Sequence, residues 1–274
     1  MTVALIAGAG DLPATLVGAM AVRPLVAAME GFAPAGLAPD LTFRLERLVP
    51  FFHALRAEGV REVCLAGAVT RPRIDPAMLD PGTARLAPRL AAAMAQGDDA
   101  TLRAVIALFR DEGFAVLGVG DLAPGLLVGE GIHAGEVTGT DRADAARAAA
   151  IVDALGRVDV GQGCVVQQGL CLAVEAIAGT DAMLAGVGAL APGLRPDLAR
   201  GRGLLFKAPK PGQEWRIDLP ALGPETVARV ARAGLGGIVW QAGGVLCLHF
   251  ARMQEEARAR GLFLWARGAQ ELAG

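Results

Sequence analysis

The chain of 274 residues contains no tyrosine, and aromatic residues together make up only 4% of it. Platforms that stack single-stranded nucleic acid are built from such rings, so that class of function is disfavoured. Neither sign of charge dominates: 26 Lys and Arg stand against 28 Asp and Glu, a net charge of −2, with a pI near 6.0. A chain so balanced offers no global basic field to DNA or RNA. Histidine is scarce. His53, His133 and His249 lie far apart, and no H-x-x-x-H or Cys/His spacing for zinc occurs. Any metal in use is then expected to be a hard cation on oxygen ligands, such as Mg2+. Cys64, Cys164, Cys171 and Cys247 include no C-x-x-C pair and sit in apolar, strand-like runs. They read as buried free thiols in a reducing cytosol. The first residues lack a basic stretch and run at once into Gly8, Gly10, Asp11 and Pro13, a first strand rather than a signal peptide. The longest apolar stretch, residues 235–251, is broken by Gln241, His249 and four glycines, so it resembles two strands about a turn more than a membrane span. A cytoplasmic protein is expected.

What is present is a large apolar fraction, 53% of residues, with a mean hydropathy of +0.44. Short apolar runs at residues 3–7, 25–29 and 63–66 alternate with helical patterns at 12–22 and 50–58. This β-α-β-α-β order predicts a parallel sheet with helices on its faces. Helices at 84–95 and 99–111 and a strand at 114–119 follow. Residues 120–139 are rich in glycine, contain Pro124 and show no sustained period, which marks a linker. Beyond it come a helix at 142–155, strands at 164–167 and 170–177 around Gln168-Gly169, and a helix from about Asp181. A helix at 224–233, strands near Ile238 and Val245, a helix at 252–260 and a strand at 262–265 complete the chain. The expected fold class is α/β. Residues 1–125 form a Rossmann-like N-terminal domain, 126–140 the linker, and 141–274 a C-terminal α/β domain that carries the catalytic motif.

Five motifs bear on chemistry. The first, G-A-G-D-L-P from Gly8 to Pro13, places Gly8, Gly10, Asp11 and Leu12 where a strand meets a helix N-terminus, a place suited to an anion. Asp11 is also a natural N-cap, so a ligand contact and a plain capped turn compete. Glu30, twenty residues after Gly10, stands where a ribose-binding acid would, but Pro13 replaces the third glycine of a dinucleotide fingerprint. The second, G-A-V-T-R-P-R, offers Arg71 and Arg73 to phosphate. The third, G-D-D at residues 97–99, either binds Mg2+ or charge-matches the next helix. In the fourth, V-E-A-I-A-G-T-D-A-M-L, Thr180 or Asp181 is expected to cap a helix, and Glu175 in an apolar strand needs a partner.

The fifth motif is the most distinctive. Residues 207–227 gather Lys207, Lys210, Arg216 and Asp218 among four prolines and two glycines, too polar for a buried central strand. In an extended conformation Arg216 and Asp218 share a face. They form either a structural ion pair or part of a phosphate and metal site, in which cations neutralise phosphate oxygens while the acid positions a metal or water. Thr226 in G-P-E-T-V opens a further helix N-terminus.

In this order the five motifs resemble the LpxI family of UDP-2,3-diacylglucosamine pyrophosphatases, and the resemblance spans nearly the whole chain. It implies two α/β domains holding substrate between them, and Mg2+-dependent hydrolysis of UDP-2,3-diacylglucosamine to UMP and 2,3-diacylglucosamine 1-phosphate (lipid X) in lipid A biosynthesis. It also implies a homodimer that binds no nucleic acid and admits transient contact with the inner-membrane surface. The acid of R-x-D-x-P, here Asp218, is implied to be essential. Metal ligation is expected from Asp218, Asp181 and Glu175, phosphate binding from Arg216, Lys207 and Lys210, and substrate contact from Gly8, Gly10, Asp11, Leu12, Arg71, Thr180, Asp181 and Thr226. Relatives often carry an arginine soon after G-T-D-A-M-L; Ala185-Gly186-Val187 has none, which implies a replacement cation, Arg195 or Lys207. Two other readings stay open: a nicotinamide-dependent oxidoreductase acting on a sugar nucleotide, and a non-catalytic lipid or nucleotide carrier.

Overall fold

The computed structural model describes residues 2–70 and 74–268, so Arg71 and Arg73 lie outside the described residues. The chain divides into two compact units, Met1–Pro124 with Glu214–Asp218, and Gly125–Gln213 with Leu219–Gly274.

The first unit runs β1 (Thr2–Ala7), α1 (Leu12–Ala19), β2 (Leu25–Met29), β3 (Leu41–Phe43), α2 (Leu48–Ala57), β4 (Val60–Ala66), α3 (Pro81–Met94), α4 (Asp98–Asp111), β5 (Ala115–Leu117) and α5 (Val119–Leu122). All its strand pairings are parallel, in the order β3-β2-β1-β4-β5. Consecutive residues of β1, Ala4 and Leu5, are both fully buried, because a parallel sheet is covered on both faces. Phe51, Phe52, Phe109 and Phe114 of α2, α4 and the following turn pack on Ala4, Ala27, Val63 and Val116, and Ile217 adds to the same core from a distant stretch of the sequence.

The strand order reverses direction between β1 and β4, where open α/β sheets bind ligands beyond the carboxyl ends of their strands. Gly8 follows β1 there. A Cβ at Gly8 would stand 2.7 Å from the carbonyl oxygen of Ala68, and Ala9 and Ala68 exchange main-chain hydrogen bonds of 2.9 Å. Gly8 is therefore required by the close approach of two loops. Gly8→Ala should destabilise the unit by about 1–3 kcal/mol, as other overpacking substitutions do, read as a lowered thermal midpoint.

The second unit runs β6 (Gly131–Ala134), α6 (Gly139–Gly156), β7 (Gly163–Gln167), β8 (Leu170–Val174), α7 (Gly179–Gly188), β9 (Leu204–Lys207), β10 (Ala221–Leu222), α8 (Pro224–Arg232), β11 (Gly237–Gln241), β12 (Leu246–Cys247), α9 (Phe250–Ala259) and β13 (Phe263–Arg267). Its main sheet has the order β6-β13-β11-β9-β7-β8. β9, β11 and β13 are parallel, and β6, β7 and β8 join antiparallel. Alternate residues serve opposite faces. Leu205, Ile238 and Trp240 meet the buried side chains of α7, α8 and α9, whereas Phe206, Val239 and Trp265 meet Ala145, Ala148 and Val152 of α6.

Three expectations are corrected. The presumed linker contains β6, an edge strand of the second sheet. The polar segment begins inside a central strand, since Lys207 is the buried last residue of β9. Cys171 is exposed on β8, whereas Cys64, Cys164 and Cys247 are buried. Burial pushes the Cys64 and Cys247 thiols up to about 12, so they stay protonated and inert.

Candidate functional site

In the first unit, the loop after β1 sets Gly10 at φ +94° with open space beside it. Asp11 occupies the N-cap position of α1, yet its carboxylate makes no capping hydrogen bond. The reason is its backbone, at φ −87° and ψ −16°, helical already where a capping residue is normally extended. The expected competition between cap and ligand is thus decided in one respect: the Asp11 side chain does not occupy the amides of α1. Glu30, the candidate ribose acid, pairs instead with Arg44 at 3.1 Å.

Glu214–Asp218 belongs to the same unit and is not extended. The Asp218 N–H donates to the Glu214 carbonyl at 3.1 Å and the Ile217 N–H to the same oxygen at 3.2 Å, which closes a helical turn. Ile217 anchors the turn in the core, Trp215 is exposed and Asp218 is half-buried. Arg216 forks onto Glu214, its Nε donating to Oε1 at 2.7 Å. Hydrogen bonding from Arg216 holds the Glu214 carboxyl below the usual range, and the same bond raises Arg216. A carboxylate depressed in the folded state stabilises fully above its unfolded value and loses that contribution as pH falls through the folded one. The turn is therefore locked throughout the neutral range. The shared face expected of Arg216 and Asp218 gives way to this turn, because the bend brings Glu214 to the guanidinium.

In the second unit the chain brings Glu175, Thr180 and Lys207 together. The Lys207 ammonium lies 3.2 Å from Glu175 Oε2 and donates to Thr180 Oγ1 at 2.7 Å, and the Thr180 hydroxyl donates to Glu175 Oε2 at 2.8 Å. The strand expected over 170–177 stops at Val174, so Glu175 lies just past β8, and it has the partner that an acid beside an apolar run demands. Room for its carboxylate comes from Gly163, where a Cβ would stand 2.9 Å from Oε2. The cap expected of Thr180 or Asp181 is corrected: Ala178 holds the N-cap position of α7 without a side-chain bond. Thr180 is spent on Glu175 and Lys207, and Asp181 pairs with Arg229 of α8 at 3.1 Å.

The remaining candidates are placed as follows. Lys210 pairs with Asp159 at 2.6 Å. The Thr226 hydroxyl accepts from the Gly223 N–H at 3.3 Å and so closes the start of α8. Arg195 donates to Gln167 Oε1 at 3.0 Å and to the Ala233 carbonyl at 2.7 Å, a structural clamp rather than a replacement phosphate cation. Glu214, Asp159 and Arg229 were missed as partners. Glu214 stands two residues from Arg216, but the pairing of Arg229 with Asp181 had no local signal. Asp159 had none.

The expected Mg2+ ligands fall in different units, Asp218 in the first and Glu175 and Asp181 in the second. Among the described residues no group of three or more His, Cys, Asp or Glu could hold a metal ion. Glu175 and Asp181 are each paired with a cation. No helix among the described residues is long and apolar enough to cross a membrane.

The comparisons with known proteins agree in both halves. Residues 2–126 match the LpxI N-terminal domain and residues 130–265 the LpxI C-terminal domain. A Caulobacter vibrioides protein named UDP-2,3-diacylglucosamine pyrophosphatase LpxI is 40% identical over an alignment that covers 97% of this chain and 98% of the relative. With both domains matched along almost the whole sequence, the chain belongs to the LpxI family.

Proposed function

We propose that this enzyme hydrolyses the diphosphate of UDP-2,3-diacylglucosamine in lipid A biosynthesis. Water adds across one P–O bond of the bridge, its oxygen going to phosphorus and the bridging oxygen leaving with the other phosphate. The products are UMP and 2,3-diacylglucosamine 1-phosphate (lipid X). The observation that carries this reading is the full-length likeness to the Caulobacter protein of that name.

Asp218 is the general base of the reaction. Its backbone is fixed by the Glu214 carbonyl and by the Ile217 anchor, so its placement costs little reorganisation when substrate arrives. Its carboxylate receives the proton of the attacking water, a role worth about 10²–10⁴-fold in such sites. Lys210 is the phosphate cation of the second unit. Its bond to the exposed Asp159 is a surface pair, worth about 1 kcal/mol or less, and a diphosphate can displace it. Lys207 is buried against Glu175, and its role is to hold the end of β9 and the start of α7 in place. Arg216 supports Asp218 by locking the turn. Gly8, Gly10, Asp11 and Leu12, with the uncapped amides of α1, are proposed to receive an anionic part of the substrate. Arg71, Thr226, Thr180 and Asp181 complete the contacts.

Mg2+ dependence is part of the proposal. The ion would neutralise diphosphate charge. Asp218 would hold it. The enzyme acts in the cytoplasm on a substrate whose acyl chains bring it to the inner-membrane surface. Purified protein with Mg2+ is expected to release UMP and lipid X from the substrate, and EDTA to reduce that release to background. Undiminished release in EDTA would remove the metal from the account, and no release under either condition would remove the hydrolysis.

A further inference from the structure

We infer that Trp215 holds the base of the substrate, its indole ring stacking on uracil. The identity of the base rests on the hydrolysis proposed above; the place and chemistry of the ring do not. This chain keeps its rings out of water. Of its three tryptophans and nine phenylalanines, Trp215 alone among the described residues is exposed, at 45%, while Trp240 and Trp265 are buried. The turn that carries it is fixed by the Glu214 carbonyl, by the bond of Arg216 to Glu214 and by the Ile217 anchor. A tryptophan has only two side-chain torsions to freeze, so a ring on a fixed turn binds at little entropic cost. Gly118, the residue after β5, packs against the turn: a Cβ there would stand 3.2 Å from Arg216 Cα. Trp215 is therefore carried at the carboxyl end of β5, which neighbours β4 and then β1 with its Gly8 loop. Open α/β sheets bind ligands on that side. Residues three apart on a helical turn are neighbours, so Trp215 adjoins Asp218.

The surroundings of the ring decide which part of the substrate it meets. Its companions in the turn are Glu214, Arg216 and Asp218, and the charges of Arg103 and Asp121 reach the Glu214–Arg216 pair. Ile217, the remaining side chain of the turn, packs into the core. An acyl chain gains from burial along continuous apolar surface, and this turn offers charge instead. The glucosamine ring carries its two acyl chains on adjacent carbons, so stacking the sugar would press them against the same charges. Uracil fits the place. It presents a flat π face to the indole, and the polar atoms on its edge find donors and acceptors in a charged setting. The stack involves neither the bridging oxygen nor the attacking water, so Trp215 serves binding while Asp218 serves the bond. One ring suffices for one base, though not for a strand of nucleic acid.

The test uses the full-length protein and UMP alone, so it needs no turnover. UMP should quench the tryptophan fluorescence of the wild type, because Trp240 and Trp265 are buried and Trp215 is open to it. By calorimetry, Trp215→Leu should raise the UMP dissociation constant roughly 5- to 100-fold, the range for loss of one base–aromatic stack, with circular dichroism unchanged. Trp215→Phe keeps a ring and should recover most of that loss. With UDP-2,3-diacylglucosamine, Trp215→Leu should raise KM and leave kcat nearly unchanged, because the stack is present in ground and transition states alike. Quenching by UMP and a Trp215→Leu defect in a wild type that cleaves nothing would keep the stack and remove only the hydrolysis. Failure of the wild type to bind UMP, equal UMP affinity in the wild type and Trp215→Leu, or a Trp215→Leu loss confined to lipid X would each overturn the inference.

Discussion

Asp218→Ala is expected to lower kcat for UMP release by about 10²–10⁴-fold, the range for loss of a positioned acid or base, with little change in KM or in the thermal midpoint. The fold should tolerate the change because the turn is held by other atoms. The residue 218 N–H still donates to the Glu214 carbonyl, Ile217 still fills the core, and Arg216 still grips Glu214. Asp218→Asn keeps the shape and one acceptor while losing the charge, and it should be nearly as slow. Steady-state kinetics with calorimetry on the same samples separates a catalytic loss from a folding loss. A near wild-type kcat in a folded Asp218→Ala enzyme would show that another group receives the proton.

Glu175→Leu should be the most destabilising single change among the candidate residues, by about 3–5 kcal/mol. Removing one member of a buried pair leaves the other charge uncompensated, and here Lys207 is only 5% exposed. Some exposure of Glu175 places the expected loss toward the lower end. Replacing both charges relieves the problem: Glu175→Leu with Lys207→Met should recover most of the stability lost in the single variant. Urea midpoints of the two single variants and the double variant complete the cycle. If Glu175→Leu is no less stable than wild type, the pair is not the clamp described here. Kinetics of a stable double variant adds a second reading. Retained turnover fits a positioning role for Lys207, and abolished turnover in a folded protein would assign Lys207 to the substrate itself.

Much of the second sheet was legible because its strands are long enough to show their pattern. The β7–β8 hairpin is announced by Gln168-Gly169 between two apolar runs, and both residues take positive φ in the fold. β3 and β6, of three and four residues, are too short for a period to declare itself. β9 was hidden because its buried lysine makes Leu204–Lys207 look like the start of a polar loop. The motifs placed Glu175, Thr180 and Lys207 in two separate groups. Their meeting depends on the register of β7 between β8 and β9, which no local pattern encodes. The grouping of Glu214–Asp218 with the first unit is likewise a long-range contact, carried by Ile217, whose partners lie about a hundred residues or more away in sequence. What the sequence did reveal about Glu175 was physical: an acid beside an apolar run has to be paired.

The central claim is that this chain cleaves a sugar-nucleotide diphosphate and that Asp218 is the general base that enables it. Phosphorus-31 NMR of UDP-2,3-diacylglucosamine with Mg2+ and purified enzyme follows the bond itself. The account predicts that the two coupled diphosphate resonances disappear and two monophosphate resonances replace them with wild-type protein, while with folded Asp218→Asn the diphosphate signals persist over the same time. Diphosphate resonances that persist with the wild type, or vanish equally fast with Asp218→Asn, would contradict it.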